Sequence, residues 1–171
     1  VMTMLICMEA IQAGKITFDD MVTASEYACS MGGSQIYLKE NEEMSLETLI
    51  KSIFVASAND ACVAIAEKIG GTVDGFVNRM NERAKELGLK NTSFKNPHGL
   101  DGETHYTTAY ELALITREAL KNELFCEIIA TEKKTIPLHD GAASRLLVNH
   151  NRLLREYDDI IGVKTGFTDN A

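Results

Sequence analysis

The sequence predicts one domain of mixed α and β structure, mostly helical, with short strands late in the chain. Two observations favour this class. Apolar residues recur at helical spacing in several segments that begin with capping residues, and β-branched residues concentrate in the later pieces 133–137 and 160–166. The 171 residues, 45% hydrophobic and 25% charged, have an ordinary globular balance without repeats or linkers. We therefore treat residues 1–171 as one domain.

Apolar faces and end signals define the individual helices. Residues 1–13 are apolar on nearly every side, which is typical of a helix buried in a core, and Gly14 would end it. Ser45 is an expected N-cap, and Thr108 is expected to form a capping box with Glu111. Helices are predicted over 1–13, 45–56, 60–71, 72–88, 108–120 and 122–130, and strands within 34–44, 133–137 and 160–166.

The charge and hydropathy of the chain exclude several classes of function. Seventeen basic against twenty-five acidic residues give a net charge of −8, and the basic residues are scattered, so no nucleic-acid-binding surface is expected. The apolar opening segment is about half as long as the roughly 20 residues of a membrane-spanning helix, and it lacks the flanks of a signal peptide. No segment of this sequence is predicted to target or anchor the protein.

Cysteine and histidine are too scattered for a metal site or a redox motif. The cysteines stand at positions 7, 29, 62 and 126 and the histidines at 98, 105, 139 and 150, without a C-x-x-C or H-x-x-x-H pair. Cys7 and Cys62 lie in apolar helical patterns, so we expect them to be buried thiols. We predict no metal and no cofactor.

The first pattern with chemical potential is Ser57-Ala58-Asn59, between two predicted helices. A hydroxyl and a carboxamide two residues apart on a turn can point into the same cleft. Serine, asparagine and aspartate are also common N-caps, so a purely structural capping role is the commoner explanation for this pattern alone.

The second pattern is Lys164-Thr165-Gly166, which follows the apolar run that contains Ile160, Ile161 and Val163. An ammonium, a hydroxyl and a residue without a side chain at a strand edge can hold a substrate carboxylate and admit the substrate backbone. The structural alternative is a strand end with an exposed lysine and a turn glycine. The frame of a phosphate-binding loop, G-x-x-x-x-G-K, is absent.

Together and in this order, S-x-N and K-T-G resemble two elements of the active-serine set of penicillin-binding proteins and serine β-lactamases, whose first element is S-x-x-K. The segments "GGSQIYLKENEEMSLETLIKSIFVASANDACVAIAE", "FKNPHGLDGETHYTTAYELALI" and "NHNRLLREYDDIIGVKTGFTDNA" are similar to the D-alanyl-D-alanine carboxypeptidases among the low-molecular-mass penicillin-binding proteins. The resemblance spans nearly the whole chain. It implies an antiparallel sheet covered by helices, with a helical lobe and a cleft between the two.

The sequence departs from this family at the nucleophile. None of the eight serines has a lysine three residues later, so S-x-x-K is absent. In the family the segment after that lysine is similar to "VMTMLICMEA", so we expect the sequence to begin immediately after it. The lone strand predicted after Asp159 has no sequence left to pair with it. We therefore expect a cut at the carboxyl end as well, before the final strands, helix and membrane anchor, and an incomplete domain.

The resemblance implies catalytic roles for two residues. In the family a serine activated by a lysine attacks the peptide bond between two D-alanines and forms an acyl-enzyme. Ser57 would relay a proton between the lysine and the departing amine. Asn59 would hold the lysine and a substrate amide through its two-sided carboxamide.

Four further residues are implied to bind the substrate. Lys164 and Thr165 would bind the carboxylate of the terminal D-alanine, and Gly166 would leave room for the substrate backbone. The N–H of Phe167 would form half of the oxyanion hole. The implied partners are peptidoglycan D-Ala-D-Ala peptides and, as acylating inhibitors, β-lactam antibiotics, at a site outside the cytoplasmic membrane.

The main hypothesis is a carboxypeptidase whose nucleophile lies outside these residues, and two alternatives to it remain open. One is a non-catalytic protein that binds penicillin or peptidoglycan, since the 171 residues as written lack the nucleophile. The other is a serine β-lactamase, which would need a deacylating carboxylate such as Glu103 or Glu111. We expect His98 and His105 to shape loops, and we leave them outside the site although either could touch the cleft.

Overall fold

The computed structural model describes residues 1–137, 141 and 143–168. Helices dominate these residues, as predicted. In chain order the elements are α1 (Met2–Gln12), β1 (Met21–Thr23), α2 (Glu26–Cys29), β2 (Glu43–Ser45), α3 (Leu46–Ala56), α4 (Asn59–Gly70), α5 (Val73–Glu86), α6 (Ala109–Ala119), α7 (Glu123–Ile129), β3 (Lys133–Pro137), β4 (Ser144–Val148) and α8 (Leu153–Glu156).

Helix α1 lies in the middle of the core, which confirms the prediction from its all-round apolar sequence. Eight of its eleven residues are buried, and it contacts α4, α5 and α6. An ion-pair group fixes its outer face, because Arg83 on α5 bonds Glu9 at 2.8 Å and Glu118 on α6 at 3.4 Å. Gly14 follows the helix in the left-handed region (φ 66°), as expected for a helix-ending glycine.

The predicted N-caps are confirmed, whereas the predicted capping box is only half present. The side chains of Ser45 and Thr108 each accept the N–H three residues ahead. Glu111 does not return a bond to Thr108. Its buried carboxylate instead accepts the backbone N–H groups of Lys90 and Asn91 and the hydroxyl of Thr92, because that loop passes beside α6. A short-range signal could not anticipate this tertiary partner.

The strands form two separate two-stranded antiparallel sheets. In the first, β1 pairs with β2 so that Val22 lies opposite Met44. In the second, β3 pairs with β4 from Lys133 opposite Val148 to Pro137 opposite Ser144. The prediction of β3 is confirmed, while β1 and β4 were not predicted.

Two predicted strand segments are wrong. Residues 35–39 form no strand, because the N–H groups of Ile36 and Leu38 bond the carboxylate of Asp60 rather than a neighbouring strand. Residues 160–166 also have no strand assignment, since no described residue forms a ladder with them. An apolar, β-branched sequence favours an extended chain, but a strand also requires a partner.

The thiols are buried as predicted at Cys7 and Cys62, and all four cysteines are free. Within the described ranges, no group of three His, Cys, Asp or Glu side chains is arranged to hold a metal ion. His139 lies outside the described residues. Among the described helices, none has both the length and the apolar character needed to cross a bilayer.

Candidate active site

A cleft of about 1000 Å³ brings together four parts of the chain that are distant in sequence. The start of α1 forms its floor, and the turn between α3 and α4 forms one wall. The loop 94–107 and the segment 164–168 complete it. The volume is that of a small-molecule or peptide-binding site.

Ser57 lies in this cleft at the end of α3, in a left-handed backbone conformation (φ 58°, ψ 36°) that few non-glycine residues adopt. Its hydroxyl does not cap α4. The N-cap position of α4 is Ala58, without a side-chain hydrogen bond, and Asn59 already belongs to the first turn. The structural alternative of a capping motif is therefore wrong, and the hydroxyl of Ser57 faces the cleft without a hydrogen bond to a described residue.

Asn59 lies behind the cleft wall rather than on it. Its side chain is buried, and Nδ2 donates to the carbonyl oxygen of Gly32 at 2.8 Å. Its backbone N–H donates to the oxygen of Ser34 at 2.8 Å. The carboxamide is thus held by a loop from another part of the chain.

The segment 164–168 lines the same cleft as Ser57, and packing on its amino-terminal side fixes it in place. Val163 packs against the core, and an ideal Cβ on Gly162 would lie 2.7 Å from Cδ1 of Ile129, so a glycine allows this close approach. Lys164 is half-buried, with Nζ donating to the oxygen of Thr165 at 2.8 Å. It is therefore not the exposed surface lysine of the structural alternative.

Beyond Lys164 the chain opens toward solvent. Thr165 and Gly166 are exposed in the cleft, and nothing lies within 4 Å of an ideal Cβ on Gly166. The Phe167 side chain is 87% exposed. The hydroxyl of Thr168 is buried in the cleft with no hydrogen-bond partner among the described residues. A buried hydroxyl that lacks a partner is available to a ligand.

His98 and His105, for which loop-shaping roles were expected, both line the cleft. Their Nδ1 atoms accept backbone N–H groups of their own loop, from Leu100 at 3.3 Å and from Lys95 at 3.0 Å. Burial lowers the pKa of His98 to about 4, with a smaller effect from His105, and burial also lowers the pKa of His105. Both imidazoles are therefore neutral at pH 7. The motif "NPHGL" was the available signal.

Cys62 is a thiol in the cleft wall that is unsuited to nucleophilic attack. Burial raises its pKa to about 12, so the thiolate is scarce at neutral pH. Burial lowers the pKa of Lys164, and the nearby Cys62 opposes this effect. Beside the carboxylates of Asp101 and Glu103, the described residues that line the cleft offer hydroxyls, the Lys164 ammonium and two neutral imidazoles as reactive groups.

A family model described as D-alanyl-D-alanine carboxypeptidase (peptidase S11) matches residues 1–171. The chain belongs to this carboxypeptidase family. D-alanyl-D-alanine carboxypeptidase DacF of Bacillus subtilis is 49% identical over 172 residues, which cover 100% of this chain and 44% of the relative. The resemblance inferred from S-x-N, N-P-H-G-L and K-T-G is thereby confirmed.

Solved structures of the carboxypeptidase family share the fold. D-alanyl-D-alanine carboxypeptidase DacD from Francisella tularensis matches with a TM-score of 0.89 and 32% identity, over 98% of this chain and 52% of that one. Penicillin-binding protein 5 from Haemophilus influenzae matches with a TM-score of 0.88 and 34% identity, over 99% of this chain and 49% of that one. The predicted penicillin-binding-protein fold is confirmed, and the chain spans about half the length of these relatives.

Proposed function

We propose that the full-length protein is a serine-type D-Ala-D-Ala carboxypeptidase that acts on peptidoglycan stem peptides through an acyl-enzyme. One observation carries this proposal. Ser57 and the segment Lys164–Gly166 line one cleft although they lie far apart in sequence. Membership of the carboxypeptidase family supports the reaction, and the cleft supplies groups suited to a peptide that ends in a free carboxylate.

The carboxylate end of the substrate would bind to Lys164 and Thr165. The ammonium is half-buried, so its contact with a carboxylate is less screened than a surface pair and would contribute ~1.5–3 kcal/mol. The open space beside Gly166 would admit the substrate backbone. The N–H of Phe167 would donate to the developing oxyanion, a contact worth roughly 10²–10³ in rate.

Proton transfer would be the task of Ser57, with Asn59 behind it. The hydroxyl of Ser57 can both accept and donate, so it can pass a proton from the general base to the departing D-alanine amine. The oxygen of the Asn59 carboxamide would accept from the catalytic lysine.

The nucleophilic serine and its lysine would come from a part of the full-length protein outside these 171 residues. No serine among these 171 residues has a lysine three residues later, so they do not contain the S-x-x-K element. Without that segment the 171 residues alone would not hydrolyse the peptide. The substrate class further implies an extracytoplasmic site of action and acylation by β-lactam antibiotics.

The β-lactamase alternative has less support. Glu111, one of its two candidate carboxylates, is buried and is bonded to the loop 90–92 away from the cleft lining. Glu103 lies at the cleft but is exposed. Nothing in the cleft favours this alternative over the carboxypeptidase.

The test uses the purified full-length protein with a fluorescent penicillin and a peptide that ends in D-Ala-D-Ala. We expect covalent labelling and release of D-alanine, and Ser57→Ala should lower both rates by ~10²–10⁴-fold. Ser144→Ala, on an exposed strand position, is the matched control and should leave both rates unchanged. Binding of the peptide without release of D-alanine contradicts the proposal. Hydrolysis of penicillin without release of D-alanine from the peptide contradicts it as well.

A further inference from the structure

The loop 32–38 is bonded to two consecutive residues at the start of α4, directly after the Ser57 turn. Gly32 and Ser34 accept from the side chain and backbone of Asn59. Ile36 and Leu38 donate to Asp60. The first turn of α4 and this loop are therefore one hydrogen-bonded unit.

Asp60 is the centre of this unit. Its residue is 0% exposed, and its carboxylate accepts the N–H groups of Ile36 at 3.2 Å, Leu38 at 3.1 Å and Ala61 at 2.9 Å. All three partners are donors, so a carboxylate satisfies them together where an amide could not. The second position of the helix also favours the negative charge.

The far side of the loop is fixed independently of α4. Arg145 on β4 donates to the oxygen of Ile36 at 3.0 Å, and its guanidinium lies 4.8 Å from the centre of the Tyr37 ring. The loop is thus held between a buried anion on one side and a cation on the other.

Gly33 fits the loop closely around the Asn59 side chain. It has φ +75°, and an ideal Cβ would lie 2.8 Å from Nδ2 of Asn59 and 3.6 Å from Cδ2 of Leu100. Leu100 lines the cleft. A methyl group at position 33 would therefore push the carboxamide from its site beside the cleft wall.

The contact with Gly32 also decides which end of the carboxamide is available. A carbonyl oxygen can only accept, so the nitrogen of Asn59 must face it. The oxygen Oδ1 is consequently the end that remains for another donor.

We propose that Asp60 and Gly33 are positioning residues for catalysis, which hold the loop 32–38 so that the Asn59 carboxamide presents its oxygen to the catalytic lysine. This inference rests on the proposed function and adds residues to which no role has been assigned. Asp60 acts by anchoring the loop, and Gly33 acts by leaving space for the amide. Neither residue lines the cleft.

The experiment compares two variants with matched controls in the full-length protein. Gly33→Ala is paired with Gly88→Ala, which has nearly the same φ of +74° and nothing within 4 Å of an ideal Cβ. Asp60→Asn is paired with Asp74→Asn, which is the exposed second residue of α5. Gly88→Ala therefore reproduces the backbone strain of Gly33→Ala, and Asp74→Asn reproduces the loss of a helix-end charge. Within the described residues, neither control position contacts the loop 32–38 or Asn59.

Two measurements separate positioning from general damage. Stopped-flow labelling with fluorescent penicillin gives the dissociation constant and the limiting acylation rate. We expect Gly33→Ala and Asp60→Asn to lower the limiting rate by ~10–100-fold with the dissociation constant within about twofold, because Lys164 is untouched. NMR should show slow exchange of the Asn59 side-chain amide protons in the parent and in both controls, and fast exchange in both test variants.

The outcomes are distinct for the two proposals. A parent that is never labelled overturns the proposed function and the catalytic part of this inference. In a second outcome the parent is labelled, but the limiting acylation rate of Gly33→Ala equals that of the parent or falls no further than that of Gly88→Ala. The carboxypeptidase proposal then stands, and the positioning role is wrong. Unchanged amide exchange in Gly33→Ala and Asp60→Asn also overturns the positioning role.

Discussion

Acidification should destabilise this protein through His98 more than an ordinary histidine would. Nδ1 of His98 accepts the N–H of Leu100, and burial lowers its pKa from 6.5 to about 4. An accepting Nδ1 must carry no proton. Protonation at Nδ1 would therefore replace the hydrogen bond with two opposed N–H groups inside the cleft wall.

The two pKa values fix the sign and the size of the effect. Above pH 6.5 the histidine is neutral in the folded and unfolded states, and its contribution to stability is fully present. Between pH 6.5 and pH 4 the unfolded state binds a proton that the folded state excludes, so the free energy of unfolding falls with pH. The full difference corresponds to roughly 3 kcal/mol, of which about 2 kcal/mol is lost by pH 5.

The assay is urea denaturation of the full-length protein at pH 7.5 and pH 5, with His98→Asn for comparison. The asparagine oxygen can still accept from Leu100 and does not titrate, so the parent should lose about 2 kcal/mol more than the variant. NMR titration of the ring protons, assigned by their absence in the variant, should give a pKa near 4. Equal losses in both proteins, or a ring that titrates near 6.5, would refute the reasoning.

Three further predictions concern the cleft and the core. Lys164→Ala should lower kcat/KM for D-Ala-D-Ala peptides by roughly 10- to 150-fold, while exposed Lys133→Ala changes it little; equal effects contradict the carboxylate contact. Gly162→Ala should lower the free energy of unfolding, measured by urea denaturation, by ~1–3 kcal/mol, because the added methyl group would clash with Ile129. In the double variant, Ile129→Ala should relieve part of this clash, so that the combined loss is smaller than the sum of the two single losses; a fully additive loss would contradict the close contact. Phe125→Ala should cost ~3–5 kcal/mol because this ring is buried 5.3 Å from Phe54, whereas Phe167→Ala, 87% exposed, should change stability by under ~0.5 kcal/mol; similar losses would be inconsistent with the packing.

Local sequence signals predicted the helices well. Ser45, Thr72 and Thr108 each accept the N–H three residues ahead, because a capping bond joins neighbours in the chain. Gly71 ends α4 with φ 72° for an equally local reason. The all-round apolar composition of α1 likewise predicted its place in the core, where eight of its eleven residues are buried, since such a helix has no wide polar face to turn to water.

The strands show where local signals fail. The predicted strand at 34–44 is largely a loop because Asp60 takes the N–H groups that a neighbouring strand would need. The short strands β1 and β4 carry weak signals and exist through their partners β2 and β3. Pairing and side-chain capture of this kind depend on residues distant in sequence, so propensity alone does not predict them.

The sequence by itself determined the family, the helices and the motif residues Ser57 and Lys164–Gly166, because caps, apolar faces and short motifs are encoded by neighbouring residues. Only the tertiary structure decided that these motifs share one cleft, that His98 and His105 belong to its wall, and that Asn59 is held by Gly32. Those facts arise from contacts between distant segments. The tertiary structure also excluded a capping role for Ser57 and Asn59, because the start of α4 is held by the loop 32–38.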